Sequence, residues 1–226
     1  MMMNNNHRIL LALSLGLAIL STGCSNPADG VAQATVSHST NTVTSAPIPG
    51  GKRYALRPDN SKIEFTGSKV TGKHDGGFRA FAGELTVVDG RVADTGNRIL
   101  IDMDSTWADN PDVTQHLKKS DFFEAPKFPT AEFISTSVQS GANGWTIAGN
   151  LQLHGITKAI SFPAKIEVSD AGVSVASEFV IKRFDWDVKY RGMANDLVRD
   201  DVVLRLDVKA VPGAADFTPI EKLVKK

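Results

Sequence analysis

Apolar residues recur at every second position in eight separate segments of this chain. In the last of them the order is Leu204, Arg205, Leu206, Asp207 and Val208. Successive side chains of a β-strand point to opposite faces, so this pattern predicts strands with one buried face. Short turns between them favour antiparallel pairing. The segments are 61–70, 81–88, 98–104, 130–139, 145–153, 160–168, 173–181 and 202–208.

Eight antiparallel strands form either a sandwich of two sheets or a barrel. Closure into a barrel removes exposed strand edges, and about eight strands leave room for one small ligand. We therefore expect residues 52–211 to form an all-β domain of about eight antiparallel strands, either a sandwich or a barrel. Its roughly 160 residues are the usual size of one domain.

One short helical insertion interrupts the predicted strands. Asn110 is suited to cap a helix, and Pro111 is suited to its first position. We expect the helix to continue towards residues 122–123 and to end before Pro126.

The first 23 residues are typical of an export signal. Arg8 precedes a run of twelve residues, 9–20, in which nothing is more polar than Ser14. A membrane-spanning helix needs roughly 20 apolar residues, so this run fits the apolar region of a signal peptide. Residues 1–23 are therefore predicted to be a signal peptide.

Cys24 is the only cysteine, which excludes a disulfide within the chain. Its position after Gly23 resembles the lipobox of bacterial lipoproteins, in which the cysteine is acylated and becomes the first mature residue. Ser21 departs from that pattern, which usually has Leu there. Two alternatives stay open: ordinary cleavage after Gly23, and cleavage after Ala34, which would discard the cysteine.

Acylation of Cys24 would fix the protein to a membrane. Each buried methylene contributes about 0.8 kcal/mol, so two or three acyl chains hold a protein almost permanently. The lipoprotein resemblance implies three chains. It also favours an outer-membrane protein that faces the periplasm, because Ser25 stands where Asp usually retains lipoproteins in the inner membrane.

Residues 24–51 are predicted to be a flexible tether. They are rich in Ser, Thr, Asn, Ala, Gly and Pro and contain no large aromatic residue. Such a segment buries too little apolar surface to offset its ordering entropy. Its mean reach would be roughly 30 Å. Residues 212–226 form a C-terminal tail to which we assign no role.

Charge and motifs exclude several classes of function. Lys and Arg number 25, as do Asp and Glu, so there is no electrostatic basis for binding nucleic acid. Catalytic motifs for hydrolases, metalloproteases and phosphate-binding loops are not found. The domain's histidines, His74, His116 and His154, lack the close spacing of zinc ligands. We expect neither an enzyme nor a metal or cofactor.

Three glycines fall on the apolar phase of the strands: Gly67, Gly83 and Gly149. Strand glycines commonly mark bends or bulges at barrel corners, and that interpretation stays open. Their shared phase also predicts an interior that is partly empty. Walls of Phe, Leu, Ile and Trp would keep such a space dry and attractive to hydrocarbon.

The charged block 182–201 has two interpretations. The first is a solvated loop with paired charges. The second is a barrel mouth where Arg183 or Arg199 binds a phosphate or carboxylate head group and Trp186 forms an apolar collar.

Four stretches of the chain resemble the YceI-like polyisoprenoid-binding family of bacterial envelope proteins. They are FTGSKVTGKHDGGFRAFAGEL, HLKKSDFFEAPKFPTAEF, GNLQLHGITKAISFPA and FVIKRFDWDVKYRGMANDLVRDDVVLRLDV. They occur in the family's order between Tyr54 and Val211. The resemblance implies an extended eight-stranded antiparallel barrel of the lipocalin-like kind, whose elongated pore takes a long isoprenoid or similar amphiphile.

The function expected from the sequence is binding of such a lipid, with transport or storage in the periplasm. The alternative is a structural or interaction lipoprotein with a filled barrel. The residues expected to line the pore or its mouth are Phe65, Gly67, Phe81, Gly83, Leu85, Met103, His116, Phe122, Phe133, Gly149, Leu151, Phe162, Phe179, Arg183 and Trp186.

The anchor is tested by Cys24→Ala. Because acylation requires the thiol, the variant is expected to move into the soluble periplasmic fraction or to stall before processing. Membrane fractionation measures this. Membrane association equal to that of the wild type would show that Cys24 is not the anchor.

Overall fold

The computed structural model describes residues 26–39, 48–120, 122–190 and 197–224. The predicted signal peptide and Cys24 lie outside these residues. The described ranges contain thirteen strands: β1 (Thr35–His38), β2 (Lys52–Leu56), β3 (Lys62–Lys69), β4 (Gly72–Phe78), β5 (Phe81–Val88), β6 (Arg91–Val92), β7 (Arg98–Asp102), β8 (Thr106–Ala108), β9 (Thr130–Gly141), β10 (Gly144–Leu153), β11 (Ile156–Ser169), β12 (Gly172–Lys182) and β13 (Val198–Pro212). They also contain two α-helices, α1 (Pro111–Lys118) and α2 (Thr218–Val224), and 3-10 helices at Met103–Ser105 and Arg183–Trp186.

The strands close into an eight-stranded antiparallel barrel, which confirms the predicted fold. Three of the eight wall strands are each broken in two, since β2 leads into β3, β4 into β5, and β7 into β8. β13 closes the barrel because it pairs with β12 on one side and with β2 and β3 on the other. Closure gives the wall strands hydrogen-bonding neighbours on both sides.

Period-two alternation correctly identifies the inward face of the long strands. Leu204, Leu206 and Val208 of β13 face the interior, where they line a cavity described below. The shorter β4 was not predicted. Its sequence GKHDGGF is mostly polar or glycine, so it carries no apolar alternation.

The helical insertion is α1. The side chain of Asn110 accepts hydrogen bonds from the backbone N–H groups of Asp112 (2.8 Å) and Val113 (3.3 Å), and Pro111 takes the first helical position. The helix ends at Lys118, earlier than expected. Beyond it the chain forms turns, in which the N–H of Glu124 donates to the carbonyl of Lys119.

The predicted flexible tether is wrong for part of its length, because the N-terminal segment joins the barrel wall. β1 pairs with β11, with Thr35 opposite Ser161 and His38 opposite Lys158. The N–H of Ala34 also donates to the carbonyl of Val180 in β12, at 2.8 Å. Backbone hydrogen bonds, which a composition-based argument cannot foresee, order this polar segment.

The C-terminal tail packs on the outside of the barrel through α2. Ile220 is buried against Ala82 and Leu100. Arg98 of β7 donates a hydrogen bond to Glu221 (2.7 Å) and lies over the ring of Phe217 at 4.4 Å. The tail is therefore a part of the folded domain.

The in-phase glycines do not leave an empty interior at two of the three positions. A Cβ atom at Gly83 would stand 2.7 Å from Cγ of Leu56, and one at Gly149 would collide with the ring of Phe133. Each glycine thus accommodates a large side chain from the neighbouring strand. Only at Gly67 would a Cβ meet nothing within 4 Å. The interpretation that these glycines leave space is wrong for Gly83 and Gly149.

Alanine substitutions at two glycines test this packing. Gly149→Ala places a methyl group against the Phe133 ring and 2.5 Å from the carbonyl oxygen of Ile134, so it is expected to cost about 1–3 kcal/mol of stability. Gly67→Ala is the control, which meets no atom and is expected to be neutral or slightly stabilising. Urea unfolding measures both. Equal losses would contradict the proposed packing.

Candidate functional site

The interior of the barrel contains an apolar cavity of about 120 Å³. Residues from ten of the strands line it together with Asn97, and all but Asn97 and Ser135 are apolar. The lining residues are Leu56, Ile63, Leu85, Val92, Asn97, Ile99, Ile101, Phe133, Ser135, Val138, Ile147, Leu151, Ile160, Phe162, Ile166, Val175, Phe179, Leu204, Leu206 and Val208. A space with this lining stays dry and favours hydrocarbon.

The two polar residues of the lining are engaged with the protein itself. The side-chain oxygen of Asn97 accepts from the N–H of Thr86 (2.9 Å), and its amide nitrogen donates to the carbonyl of Ala93 (2.6 Å) and to Oγ of Ser135 (2.8 Å). These bonds tie residues 93–97 to β5 and β9. They satisfy the buried polar atoms, so the cavity offers a ligand mainly apolar surface.

Sequence reasoning missed Asn97 and Ser135. Ser135 lies on the inward phase of β9 with Ala131 and Phe133, which was the only signal that could have placed it in the interior. Nothing in the sequence indicated Asn97, because it lies just before β7 and acts through contacts with distant strands.

Five of the predicted lining residues surround the cavity: Leu85, Phe133, Leu151, Phe162 and Phe179. Their aromatic rings form a connected group. Phe162 stacks on Phe179 with ring centroids 4.2 Å apart, and Phe133 contacts Phe162 at 5.8 Å. These rings form one side of the cavity and limit its volume.

Three further predicted residues are buried without reaching the cavity. Phe65 contacts Phe78 at 5.8 Å between ring centroids, and Phe81 and Met103 are also buried. The structure therefore places them in the packed core of the barrel. Their role in binding a ligand stays a prediction.

His116 and Phe122 come together at one end of the barrel. The ring of Phe122 stacks on Tyr190 at 5.4 Å, and His116 meets the same ring edge-on at 6.5 Å. Phe122 and Phe123 also pack against the barrel core. The segment after α1 therefore covers this end of the barrel.

Arg183 has a different environment from the predicted head-group donor. It is 4% exposed, and its three guanidinium nitrogens donate to the backbone carbonyls of Arg199 (3.0 Å), Val188 (2.7 Å) and Val198 (2.9 Å). Burial lowers the pKa of Arg183, and the nearby carboxylate of Asp200 only partly offsets this. The side chain therefore holds the chain around the start of β13 together and does not face an opening.

Trp186 also differs from its predicted role, which was an apolar collar around an open barrel mouth. It is fully buried, and its indole N–H donates to the carbonyl of Leu151 at 3.1 Å. The imidazole Nδ1 of His154 contacts the carbonyl of Trp186 at 3.1 Å. Together these contacts seal the end of the barrel next to the 3-10 helix Arg183–Trp186.

The head-group role of Arg199 stays a prediction. Its Nε atom is buried and has no hydrogen-bond partner among the described residues.

Among the described residues, no group of three or more His, Cys, Asp or Glu side chains is arranged to hold a metal ion. Across the same ranges of the chain, no helix is both long and apolar enough to cross a membrane.

The structural role of Arg183 is tested by Arg183→Met. The substitution removes the charged donor from three backbone carbonyl groups, one in a buried and two in partly buried hydrogen bonds, which is expected to cost about 3 kcal/mol of stability. Lys182→Met is the control, since Lys182 is exposed and pairs with Asp201 on the surface at 3.1 Å, a kind of pair that contributes about 0–1 kcal/mol. Urea unfolding followed by tryptophan fluorescence measures both, and a near-neutral Arg183→Met would contradict this role.

Comparison with known proteins identifies the same fold. Residues 54–210 match the YceI-like domain. BcnA of Burkholderia cenocepacia superposes with a TM-score of 0.60 at 20% identity, over 67% of this chain and 96% of BcnA. A polyisoprenoid binding domain of Saccharophagus degradans, described as implicated in plant cell wall breakdown, superposes with a TM-score of 0.57 at 18% identity, over 71% of this chain and 98% of that domain. At these identities the likeness establishes the fold alone.

Comparison of the amino-acid sequences identifies the family. A UPF0312 protein of Yersinia enterocolitica is 33% identical over 91 residues, which cover 40% of this chain and 47% of that protein. The chain spans about half the length of the curated relatives it matches. Because the matched domain takes up residues 54–210, well over half of the sequence, this protein belongs to the YceI-like domain family.

Proposed function

We propose that the barrel binds the hydrocarbon chain of an isoprenoid or a similar long amphiphile, and that it carries or stores this lipid in the bacterial envelope. The observation that supports this most is the cavity in the barrel interior, whose lining is apolar apart from two internally satisfied residues. The fold shared with a polyisoprenoid binding domain of Saccharophagus degradans points in the same direction. The proposal assigns the protein no catalytic step.

The energy available from the cavity fits an apolar chain. Each methylene moved from water into an apolar space contributes about 0.8 kcal/mol, so one five-carbon isoprene unit contributes roughly 4 kcal/mol before ordering costs. A polar head group gains nothing comparable inside, because Asn97 and Ser135 already bond to each other and to the backbone. The chain is therefore expected inside and the head group outside.

The size of the cavity sets a limit on how a long lipid binds. At about 120 Å³ it is smaller than the roughly 150 Å³ engineered cavity that holds one benzene molecule. In this conformation it accepts about one isoprene unit, less than the elongated pore that the family resemblance implies. A longer chain requires side chains such as Phe133 and Leu56, which lie over glycines, to move aside.

The same small volume favours a second candidate function. A barrel that is nearly filled by its own side chains suits a structural or interaction protein of the envelope. Such a protein would use its outer surface and would bind no lipid inside. The two candidates differ in whether lipid accompanies the purified protein.

We also propose that Cys24 carries the acyl anchor and that the protein faces the periplasm from the outer membrane. This location supports the binding function physically. A lipid leaving a bilayer for a protein cavity crosses the least water when the cavity is held next to that bilayer.

The experiment compares lipid content with stability in Val175→Phe and Ala176→Phe. Val175 lines the cavity, so the larger ring is expected to occupy it and to reduce co-purified lipid at least fivefold. Ala176 is exposed on the outer face of the same strand and serves as the control. Organic extraction with mass spectrometry measures the lipid, and thermal melting measures the fold.

Two results would favour the filled barrel instead. One is the absence of lipid from the wild-type protein purified from its own envelope. The other is a large drop in melting temperature for Val175→Phe, since overpacking a full core costs about 1–3 kcal/mol.

A further inference from the structure

We propose that residues 32–38 are a removable section of the barrel wall, and that the seam they close is the place where a lipid chain enters. This inference rests on the proposed binding function. It gives a role to the N-terminal segment, which lies outside the matched domain of residues 54–210.

The seam lies along the edge of β11 that faces β12. On this edge only residues 165–169 pair with β12, while β10 pairs with residues 156–164 along the opposite edge. The ladder between β11 and β12 therefore stops at the pair Lys165–Ala176. Beyond that pair, β12 continues to Lys182 with β13 as its partner. The two wall strands diverge there and leave a gap.

Residues 32–38 fill this gap and bridge its two sides. On one side β1 pairs with residues 158–161 of β11. On the other side the contact is through two backbone hydrogen bonds, from Ala34 N–H to the Val180 carbonyl (2.8 Å) and from Val180 N–H to the Ala32 carbonyl (2.9 Å). Gln33 forms a parallel bridge with Val180. The wall is continuous here only because this segment is in place.

The segment is held less firmly than the permanent wall strands. The ladder between β12 and β13 extends from Val173 to Lys182, whereas β1 pairs over Thr35–His38 alone. Only Ala34 is buried and Val36 partly buried; Thr35, Ser37 and His38 are exposed. Little apolar surface thus opposes the entropy gained on release, so this section is the least costly part of the wall to open.

The cavity lies directly behind the segment. Val36 stands opposite Ile160, which lines the cavity together with Phe162 and Phe179. Ala34 and Val36 pack into the same core cluster as these residues. Removal of the segment would therefore expose the apolar interior from the side.

The ends of the barrel offer a poorer route. One end is sealed by buried Trp186 and by the segment after α1 that carries Phe122. At the other end Asn97 ties residues 93–97 to β5 and β9 through buried hydrogen bonds. Opening the end at Asn97 breaks buried side-chain hydrogen bonds, whereas opening the seam breaks backbone hydrogen bonds of a short segment in which only Ala34 is buried.

The chain before the segment places the seam near the membrane. Asn26 is two residues from Cys24, and an extended chain spans at most about 3.5 Å per residue, so an acyl anchor on Cys24 would lie within about 7 Å of Asn26. Turns then follow, in which Asp29 N–H donates to the Asn26 carbonyl and Val31 N–H to the Ala28 carbonyl. The anchor is thus tied closely to the seam, and the distance is far shorter than that of a free 27-residue tether.

A reversible lock tests the proposal. Ser37→Cys with Ala159→Cys joins β1 to β11 at directly opposed positions. Ala176→Cys with Asp207→Cys is the matched control, since it joins β12 to β13, which the proposal keeps together. The full chain is incubated with phosphatidylethanolamine and phosphatidylglycerol vesicles that contain radiolabelled geranylgeraniol. Uptake is timed with each disulfide formed and again after reduction.

The expected result is that the lock across β1 and β11 slows uptake at least tenfold, that reduction restores it, and that the control pair leaves it unchanged. Uptake at the wild-type rate by the locked protein would overturn the proposal, as would equal slowing by both pairs. If the wild type takes up no geranylgeraniol while remaining folded, the proposed function itself fails.

A second pair of variants works without disulfides. Val36→Ala weakens the packing of β1 and is expected to speed uptake about threefold, while Thr35→Ala, on the exposed face of the same strand, is expected to leave the rate unchanged. An unchanged rate for Val36→Ala would overturn the proposal.

Discussion

Closure of the barrel depends on β13, which hydrogen-bonds to β12 along one edge and to β3 and then β2 along the other. In an all-β chain every unpaired edge leaves backbone N–H and C=O groups without partners. The long β13 removes that problem because it joins β12 to the first wall strand, which β2 and β3 form together. The apolar interior and the covered end follow from this closure, because each requires a continuous wall.

The wall encloses more side chains than an open pore would contain. Leu56 lies over Gly83 and Phe133 lies over Gly149, so positions without a side chain are covered by neighbours. This arrangement packs large residues without strain, and it explains why a barrel of this size has a cavity of only about 120 Å³. A barrel that binds a long chain must then change its packing when the chain enters. The stacked rings of Phe162 and Phe179, which line the cavity, would take part in that change.

The N-terminal segment connects the wall to the proposed anchor. Most wall strands gain stability from long ladders and buried side chains, whereas residues 32–38 depend on a few backbone bonds and on Ala34. The strands of a closed barrel stabilise one another cooperatively. An element that is held weakly in such a wall is therefore the place where the wall opens at the lowest cost. Because it lies beside the cavity and close to Cys24 in sequence, one short stretch of chain would combine the proposed route for lipid with the proposed anchor.

The sequence by itself determined the all-β class, the inward phase of the long strands and the position of α1, because each depends on local periodicity or capping. It also predicted five cavity residues, among them Phe133 and Phe179, for the same reason. Only the tertiary structure decided what fills the space beside each glycine, since Leu56 and Gly83 meet across strands and not along one. It likewise decided that Arg183 is a buried support and that residues 32–38 belong to the wall, because both depend on hydrogen bonds to backbone groups brought together only by folding.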